Sequence, residues 1–177
     1  MTTTNLADLY DLAPLDWARV TARLDAGFEQ APGGGGPDRH TCWLTTLNAD
    51  GSPHVTGIGA LWAEGSFWFE TGLTTRKGRN LLRDPRCALS LATDVFDLSL
   101  GGTATLVTDP DVVAARAAEW SADGGWPCRV DESGTALTAE FSAPSAGSPP
   151  WHVFRIDARS AAAVETVEPG GATRWDF

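Results

Sequence analysis

Positive charge is scarce in this chain of 177 residues, and lysine is nearly missing. Thirteen Lys and Arg face 23 Asp and Glu, for a net charge of −10. Sequence-independent grip on nucleic acid needs a basic surface, so this balance excludes it. Only three cysteines are present, Cys42, Cys87 and Cys128, with no CxxC spacing. A disulfide framework and a thiolate zinc site are both excluded, and reduced, partly buried thiols are expected. The three histidines, His40, His54 and His152, stand apart from one another. No carboxylate or cysteine falls at ligand spacing around His40 or His152, so no metal site is expected. No apolar run approaches the ~20 residues of a membrane span. The start, Met1-Thr2-Thr3-Thr4-Asn5, lacks the basic residues and apolar stretch of a signal peptide. The expectation is a soluble, cytoplasmic protein without membrane or nucleic-acid partners. Nucleophile-elbow, P-loop and dinucleotide-binding glycine patterns are all missing, which leaves hydrolase and kinase readings without a motif.

What is there reads as one domain made mostly of strands. Trp17, Val20, Leu24 and Phe28 recur at spacings of three and four, which predicts an amphipathic helix over 15–30. Gly33-Gly34-Gly35-Gly36-Pro37 marks a connection over 31–39. A barrel is expected over 41–167. Its first strands are 41–47, 53–62 and 67–71, separated by Asn48-Ala49-Asp50-Gly51 and Ala63-Glu64-Gly65-Ser66 turns, and they are expected to form a meander. A short helix follows over 75–83, capped by Thr74 or Thr75 and ended by Asp84-Pro85. Strands at 86–92 and 97–107, a helix at about 110–122 with Val112, Val113 and Trp120 inward, and closing strands at 151–156 and 161–167 complete it. Gly101-Gly102 reads as a bulge or sharp bend. The tail, 168–177, is too aromatic to be free and is expected to dock on its own subunit or a neighbour. The fold class is therefore mainly β: an antiparallel, Greek-key-like barrel with short peripheral helices.

The densest basic segment is Thr74-Thr75-Arg76-Lys77-Gly78-Arg79, and it holds the chain's lysine. It opens a helix just after a strand ends in Phe69-Glu70-Thr71-Gly72. Free amides at a helix start attract anions. Two cations in the first turn oppose the helix dipole unless an anion joins them. The alternative, a solvated basic turn, is left equally open by this physics.

The pattern Phe69-Glu70-Thr71, then Thr75-Arg76-Lys77, then Arg79-Asn80-Leu81-Leu82-Arg83-Asp84-Pro85-Arg86 resembles the flavin-binding split barrel. That group comprises the pyridoxamine 5′-phosphate oxidase-like proteins and the flavin/deazaflavin oxidoreductases. Asp50-Gly51-Ser52-Pro53-His54-Val55-Thr56 resembles the group's second strand, and the likeness runs from 41 to about 107, with a looser match at the closing strand from Trp151 to Asp157. The resemblance implies that Thr71, Thr75, Arg76 and Lys77 hold a cofactor phosphate and that Asn80 contacts the cofactor. It implies that the backbone of Thr56, Gly57 and Ile58 runs beside the ring system. It also implies a homodimer with the cofactor at the subunit interface and a small-molecule substrate, planar or conjugated. The style of the arginine-rich helix points to coenzyme F420, with FMN as the alternative. Hydride transfer between F420 and a small molecule is the activity implied. An FMN-dependent oxidoreductase and a non-catalytic flavin, F420 or haem binder are the alternatives. No catalytic side chain is assigned. The tail, Ala172-Thr173-Arg174-Trp175-Asp176-Phe177, does not match the arginine pattern of authentic pyridoxamine phosphate oxidases, which sets vitamin-phosphate oxidation aside.

Overall fold

A computed structural model describes residues 1–27 and 41–177. The 31–39 connection, His40 and Phe28 lie outside the described residues. The helix predicted over 15–30 is seen as α1 (Trp17–Asp25), started by the Asp16 side chain, which accepts from the Ala18 amide. Val20 and Leu24 are buried on its inner face.

The strands are β1 (Thr2–Asn5), β2 (Cys42–Leu47), β3 (Pro53–Ile58), β4 (Leu61–Ala63), β5 (Ser66–Thr71), β6 (Arg86–Ala92), β7 (Phe96–Val107), β8 (Arg129–Val130), β9 (Leu137–Thr138), β10 (His152–Glu165) and β11 (Gly171–Asp176). Two more helices are α2 (Arg76–Arg83) and α3 (Pro110–Ser121). Every pairing is antiparallel, along β1-β11-β10-β7-β6-β2-β3, with β5 also on β10 and β4 on β5. None of the described helices is long and apolar enough to cross a membrane.

One path through this sheet is β4-β5-β10-β7-β6-β2-β3, and only Gly59 and Ala60 join β3 to β4. The two ends of the path must therefore lie close together, which curls the sheet into a barrel. The barrel is split along β10. Residues 152–156 of β10 pair with β5, whereas residues 160–165 pair with β11, both on the side away from β7. The switch happens at Arg159, an extra residue opposite Gly101-Gly102 that shifts the register. Because side chains alternate, one extra residue flips the parity. Phe154 and Ile156 are buried before it, Ala161 and Ala163 after it. The predicted irregularity at Gly101-Gly102 is thus a bulge in the partner strand, and Gly102 is needed because a Cβ there would collide with the Asp157 carbonyl.

Three expectations are corrected. The stretch 53–62 is two strands broken at Gly59-Ala60; its end, β4, pairs with β5 as expected, but β5 goes on to pair with β10 and not with β3, so the meander is interrupted at the break. Alternation shows that a strand exists but not its partner; here Phe69 stacks on Phe154 at 5.4 Å, a pairing 85 positions away in the chain. The closing strands predicted separately are one strand of 14 residues. The tail docks on its own subunit, as expected: it is β11, bound on one side to β10 and on the other to β1, an N-terminal strand the polar Thr run did not announce. Val113 is buried as expected, while Val112 and Trp120 are half-buried.

Two apolar clusters result. The larger fills the barrel, with Leu44, Phe67, Phe69, Leu89, Leu98, Phe154 and Ile156 among it. The smaller lies outside the barrel wall, where Trp68 and Val153 meet Val113, Ala117, Leu137 and Trp151.

Candidate functional site

Strand β3 ends the sheet path, so one edge of its backbone has no strand beside it among the described residues. Its side chains alternate in register with β2. Thr46 pairs with His54, Leu44 with Thr56 and Cys42 with Ile58 on the inner face; Trp43 pairs with Gly57 on the outer one. A Cβ at Gly57 would lie 3.3 Å from the Thr41 methyl and 3.6 Å from the Trp43 ring. The space that Gly57 spares is therefore taken up by its own neighbours. The Gly57 carbonyl accepts from Ser145 Oγ at 3.4 Å and so points toward the turn at 144–146.

Across from this edge, α2 begins. Thr75 is its N-cap: the hydroxyl accepts from the Gly78 amide at 3.1 Å and donates to the Gly72 carbonyl at 2.8 Å. Thr71 Oγ1 lies 3.0 Å from the same oxygen. A hydroxyl has one hydrogen and two lone pairs, so these three contacts use all of Thr75's capacity. Gly78 is required by packing, since a Cβ would lie 2.9 Å from Leu73 Cα and crowd the Gly72 and Leu73 carbonyls. Asn80 is buried, and its amide hydrogens go to Thr46 Oγ1 at 3.0 Å and Asn48 Oδ1 at 3.3 Å, tying the helix to β2.

The two cations part company. Arg76 is exposed and has no hydrogen bond or ion pair among the described residues. Lys77 is 2% exposed, and its ammonium donates to the Ser145 carbonyl. Burial pushes its pKa down, while the nearby Glu70 carboxylate pulls it up. Glu70 itself is raised from 4.5 to about 7, mainly by burial, against the opposing pull of the Ser142 hydroxyl and Lys77. Its Oε1 accepts from Ser142 Oγ at 3.1 Å, and its Oε2 is buried without a hydrogen-bond partner among the described residues. His54, on β3, is pushed below the ordinary 6.5 by burial and by the charges of Arg76 and Lys77. The same site therefore sees β3, α2 and the 142–147 segment together.

Of the eight residues singled out in the sequence, Thr56, Gly57, Thr75 and Arg76 reach the surface, while Ile58, Thr71, Lys77 and Asn80 are buried. Glu70, Ser142 and Ser145 were not singled out. Glu70 stands between Phe69 and Thr71 without a motif role of its own, and the serines sit in a stretch without periodicity. Three of the tryptophans are engaged away from this corner. Trp62 donates to Asp25 at 2.7 Å, Trp68 lies under Arg116 at 4.6 Å, and Trp175 packs on Trp17 at 5.1 Å. The thiols of Cys42 and Cys87 are pushed up to about 12 and that of Cys128 to about 11, chiefly by burial, so none is a ready nucleophile. No group of three His, Cys, Asp or Glu among the described residues is arranged to hold a metal. A groove of about 470 Å³ lies on the outer sheet face between Trp43 and Val164, lined in part by Ser90, Ser99 and Ala162.

A family model described as pyridoxamine 5′-phosphate oxidase matches residues 36–165, which include β2 through β10 and every residue of the site. The chain belongs to the pyridoxamine 5′-phosphate oxidase family. Among solved structures, a conserved hypothetical protein from Mycobacterium tuberculosis is 21% identical, with 84% of each chain covered and a TM-score of 0.55. A pyridoxamine 5′-phosphate oxidase-related, FMN-binding protein from Nostoc punctiforme is 19% identical over 75% of this chain and 78% of its own, at TM-score 0.52. A putative 5-nitroimidazole antibiotic resistance protein from Bacteroides thetaiotaomicron is 9% identical over 99% of this chain and 93% of its own, at 0.57. These likenesses establish the family's split-barrel fold. No curated protein matches the chain.

Proposed function

We propose that this member of the pyridoxamine 5′-phosphate oxidase family is an oxidoreductase that moves hydride between coenzyme F420 and a planar or conjugated small molecule. The observation that carries the cofactor site is the meeting of two features through Ser145: the start of α2 with its exposed Arg76, and the edge of β3 that has no neighbouring strand among the described residues. The first suits a phosphate, through a planar cationic fork beside helix-start amides. The second suits the polar rim of a flat ring, through backbone groups such as the Gly57 carbonyl. When bound, the cofactor supplies the hydride chemistry at its ring. The chain's part is to hold the phosphate with Arg76 and Lys77, to align the ring along Thr56, Gly57 and Ile58, and to exclude water. The choice of F420 rests on the resemblance of the arginine-rich helix. FMN is the alternative, favoured by the description of the Nostoc neighbour as FMN-binding.

A homodimer belongs to the same reading. The outer faces of β2, β6, β7 and β10 carry small side chains (Ser90, Ser99, Ala162) between exposed Trp43 and Val164. Such a strip of small side chains between exposed apolar ones is suited to a second subunit. The reading also places the protein in the cytoplasm.

The test is a titration of the purified protein with FMN and F420 side by side, repeated with the double variant Arg76→Ala, Lys77→Ala. Charge-assisted hydrogen bonds are each worth about 1.5–3 kcal/mol, so the double variant should lose several kcal/mol of affinity. Unchanged affinity would remove the phosphate clamp. Turnover of reduced cofactor with candidate acceptors then separates an enzyme from a non-catalytic binder. Sedimentation of a Trp43→Arg variant, expected to be monomeric, tests the dimer.

A further inference from the structure

The 142–147 segment lies between the two halves of the candidate site and touches both. Ser145 turns its carbonyl to the Lys77 ammonium and its hydroxyl to the Gly57 carbonyl at 3.4 Å. One residue thus presents an oxygen acceptor to the cation and a donor to the strand edge. A phosphate oxygen and a ring N–H would offer the same two groups to the same two partners. The segment is fastened on both sides of Ser145. Ser142 donates to Glu70 at 3.1 Å, the Ala146 carbonyl accepts from the Gly72 amide at 2.9 Å, and the Gly147 carbonyl accepts from Trp151 Nε1 at 2.8 Å. Lys77 is almost entirely covered in this arrangement. Thr75 has no hydrogen-bonding capacity left, and both amide hydrogens of Asn80 are used. Arg76 alone of the basic pair is open to a ligand.

We propose that the 142–147 segment is a strap that competes with the cofactor for Lys77 and the edge of β3, so that strap and cofactor are alternative occupants. The proposal rests on the reading of this corner as a phosphate-cofactor site. The strap is held by a handful of hydrogen bonds, each modest against water, and by the small side chain of Ala146, buried in the second apolar cluster. It is a single 3-10 turn, Pro144–Ala146, with no strand ladder of its own. Opening it uncovers a lysine ammonium whose other neighbour is Glu70, and an arriving phosphate replaces the Ser145 carbonyl with a charged acceptor. A stronger acceptor at the same donor is what lets a ligand drive the exchange. Apparent affinity is then lowered by the fraction of protein in which the strap is closed, and anything that loosens the strap raises it.

The experiment uses the full chain and two variants that leave every proposed cofactor contact in place. Ser142→Ala removes the anchor to Glu70. Pro144→Gly widens the conformational freedom of the open strap. Affinity for FMN and F420 is measured by titration, and amide hydrogen exchange is followed in the peptide covering 139–150 and at Gly72, with and without cofactor. The expected result is faster exchange across 142–147 when cofactor binds, and cofactor affinity higher by about two- to fivefold in each variant, the scale of a Gly/Pro effect on loop freedom. Binding with unchanged or slower strap exchange, and with affinity unchanged or reduced in both variants, overturns the strap while leaving the cofactor reading standing. Binding by the variants but not by the parent chain supports the strap. Binding of neither cofactor by any of the three proteins overturns the functional reading and the strap with it.

Discussion

On the inward face of β5, Phe67 and Phe69 sit among apolar side chains, and Phe69 stacks on Phe154 with planes 8° apart. On the outward face of the same six-residue strand, Trp68 and Glu70 are covered by very different material. Trp68 lies under the guanidinium of the buried Arg116, whose Nε and Nη1 have no hydrogen-bond partner. Glu70 has one oxygen in the same condition. The inward face is a packed core held by dispersion and water exclusion. The outward face holds buried or half-buried charges at α2, α3 and the 142–147 segment, a costly arrangement unless something else uses them. One strand therefore separates the dry barrel core from a second, smaller apolar cluster into whose margins charged side chains are set.

Truncating the inward face gives the largest stability change. Phe69→Ala leaves a cavity against Phe154 and should lower unfolding free energy by about 3–5 kcal/mol in denaturant titrations. A loss below about 1 kcal/mol would mean that the stack is not part of the core.

Glu70→Gln probes the outward face, and its sign is opposite. The folded carboxyl keeps its proton to about pH 7, whereas the unfolded one releases it near 4.5. Between those values the folded state binds more protons, so stability contributed by this group falls as pH rises and is lowest above pH 7. The neutral amide does not suffer this loss. Glu70→Gln should stabilise the chain by up to about 3 kcal/mol at pH 8 and by little at pH 4.5, since each pKa unit corresponds to about 1.4 kcal/mol. Thermal or denaturant melts at the two pH values read this directly. Destabilisation at pH 8 would show that Lys77 and Ser142 hold Glu70 as a carboxylate.

Lys77→Met sharpens the contrast from the cationic side. Methionine fills similar space without a charge to desolvate; stranding a buried partner charge would cost about 3–5 kcal/mol, but below pH 7 Glu70 keeps its proton, so a change of only about 1–2 kcal/mol is expected there. Folding should survive, while exchange in the 142–147 segment should quicken, because the Ser145 carbonyl loses its donor. A global collapse of stability would place Lys77 in the scaffold instead of the site.

The contrast also explains what could be read from residues alone. The inward face obeys alternation, so β2, β6 and β7 emerged within one residue of their bounds, and the resemblance gave the barrel. Strand partners were less legible, because β5 finds β10 through a contact far away in the chain, and Gly59-Ala60 hid a break inside an apparently continuous strand. Helix α2 and its cap were legible from Thr75 and Asp84-Pro85. The surroundings of its two cations were not: nothing in Ser142-Ala143-Pro144-Ser145 signals that it folds back onto Lys77, and a motif assigns a residue type without saying whether its side chain is covered.

Thr75→Ala is the mildest of these changes and the most local. The hydroxyl satisfies the Gly78 amide at the helix start, and losing an N-cap of this kind costs about 1 kcal/mol. Thr75→Ser keeps the oxygen and should restore nearly all of it, because the methyl is not what caps the helix. The same pair reports on ligand binding, since Thr75's hydroxyl is already saturated by Gly72, Gly78 and Thr71. If it serves mainly as a cap, alanine should weaken cofactor binding only as far as it frays α2, and the loss in affinity should not exceed the loss in stability. An affinity loss well beyond 1 kcal/mol in Thr75→Ala, rescued by serine, would mean that the hydroxyl leaves one of its three partners to bond the phosphate, and that the start of α2 rearranges together with the strap.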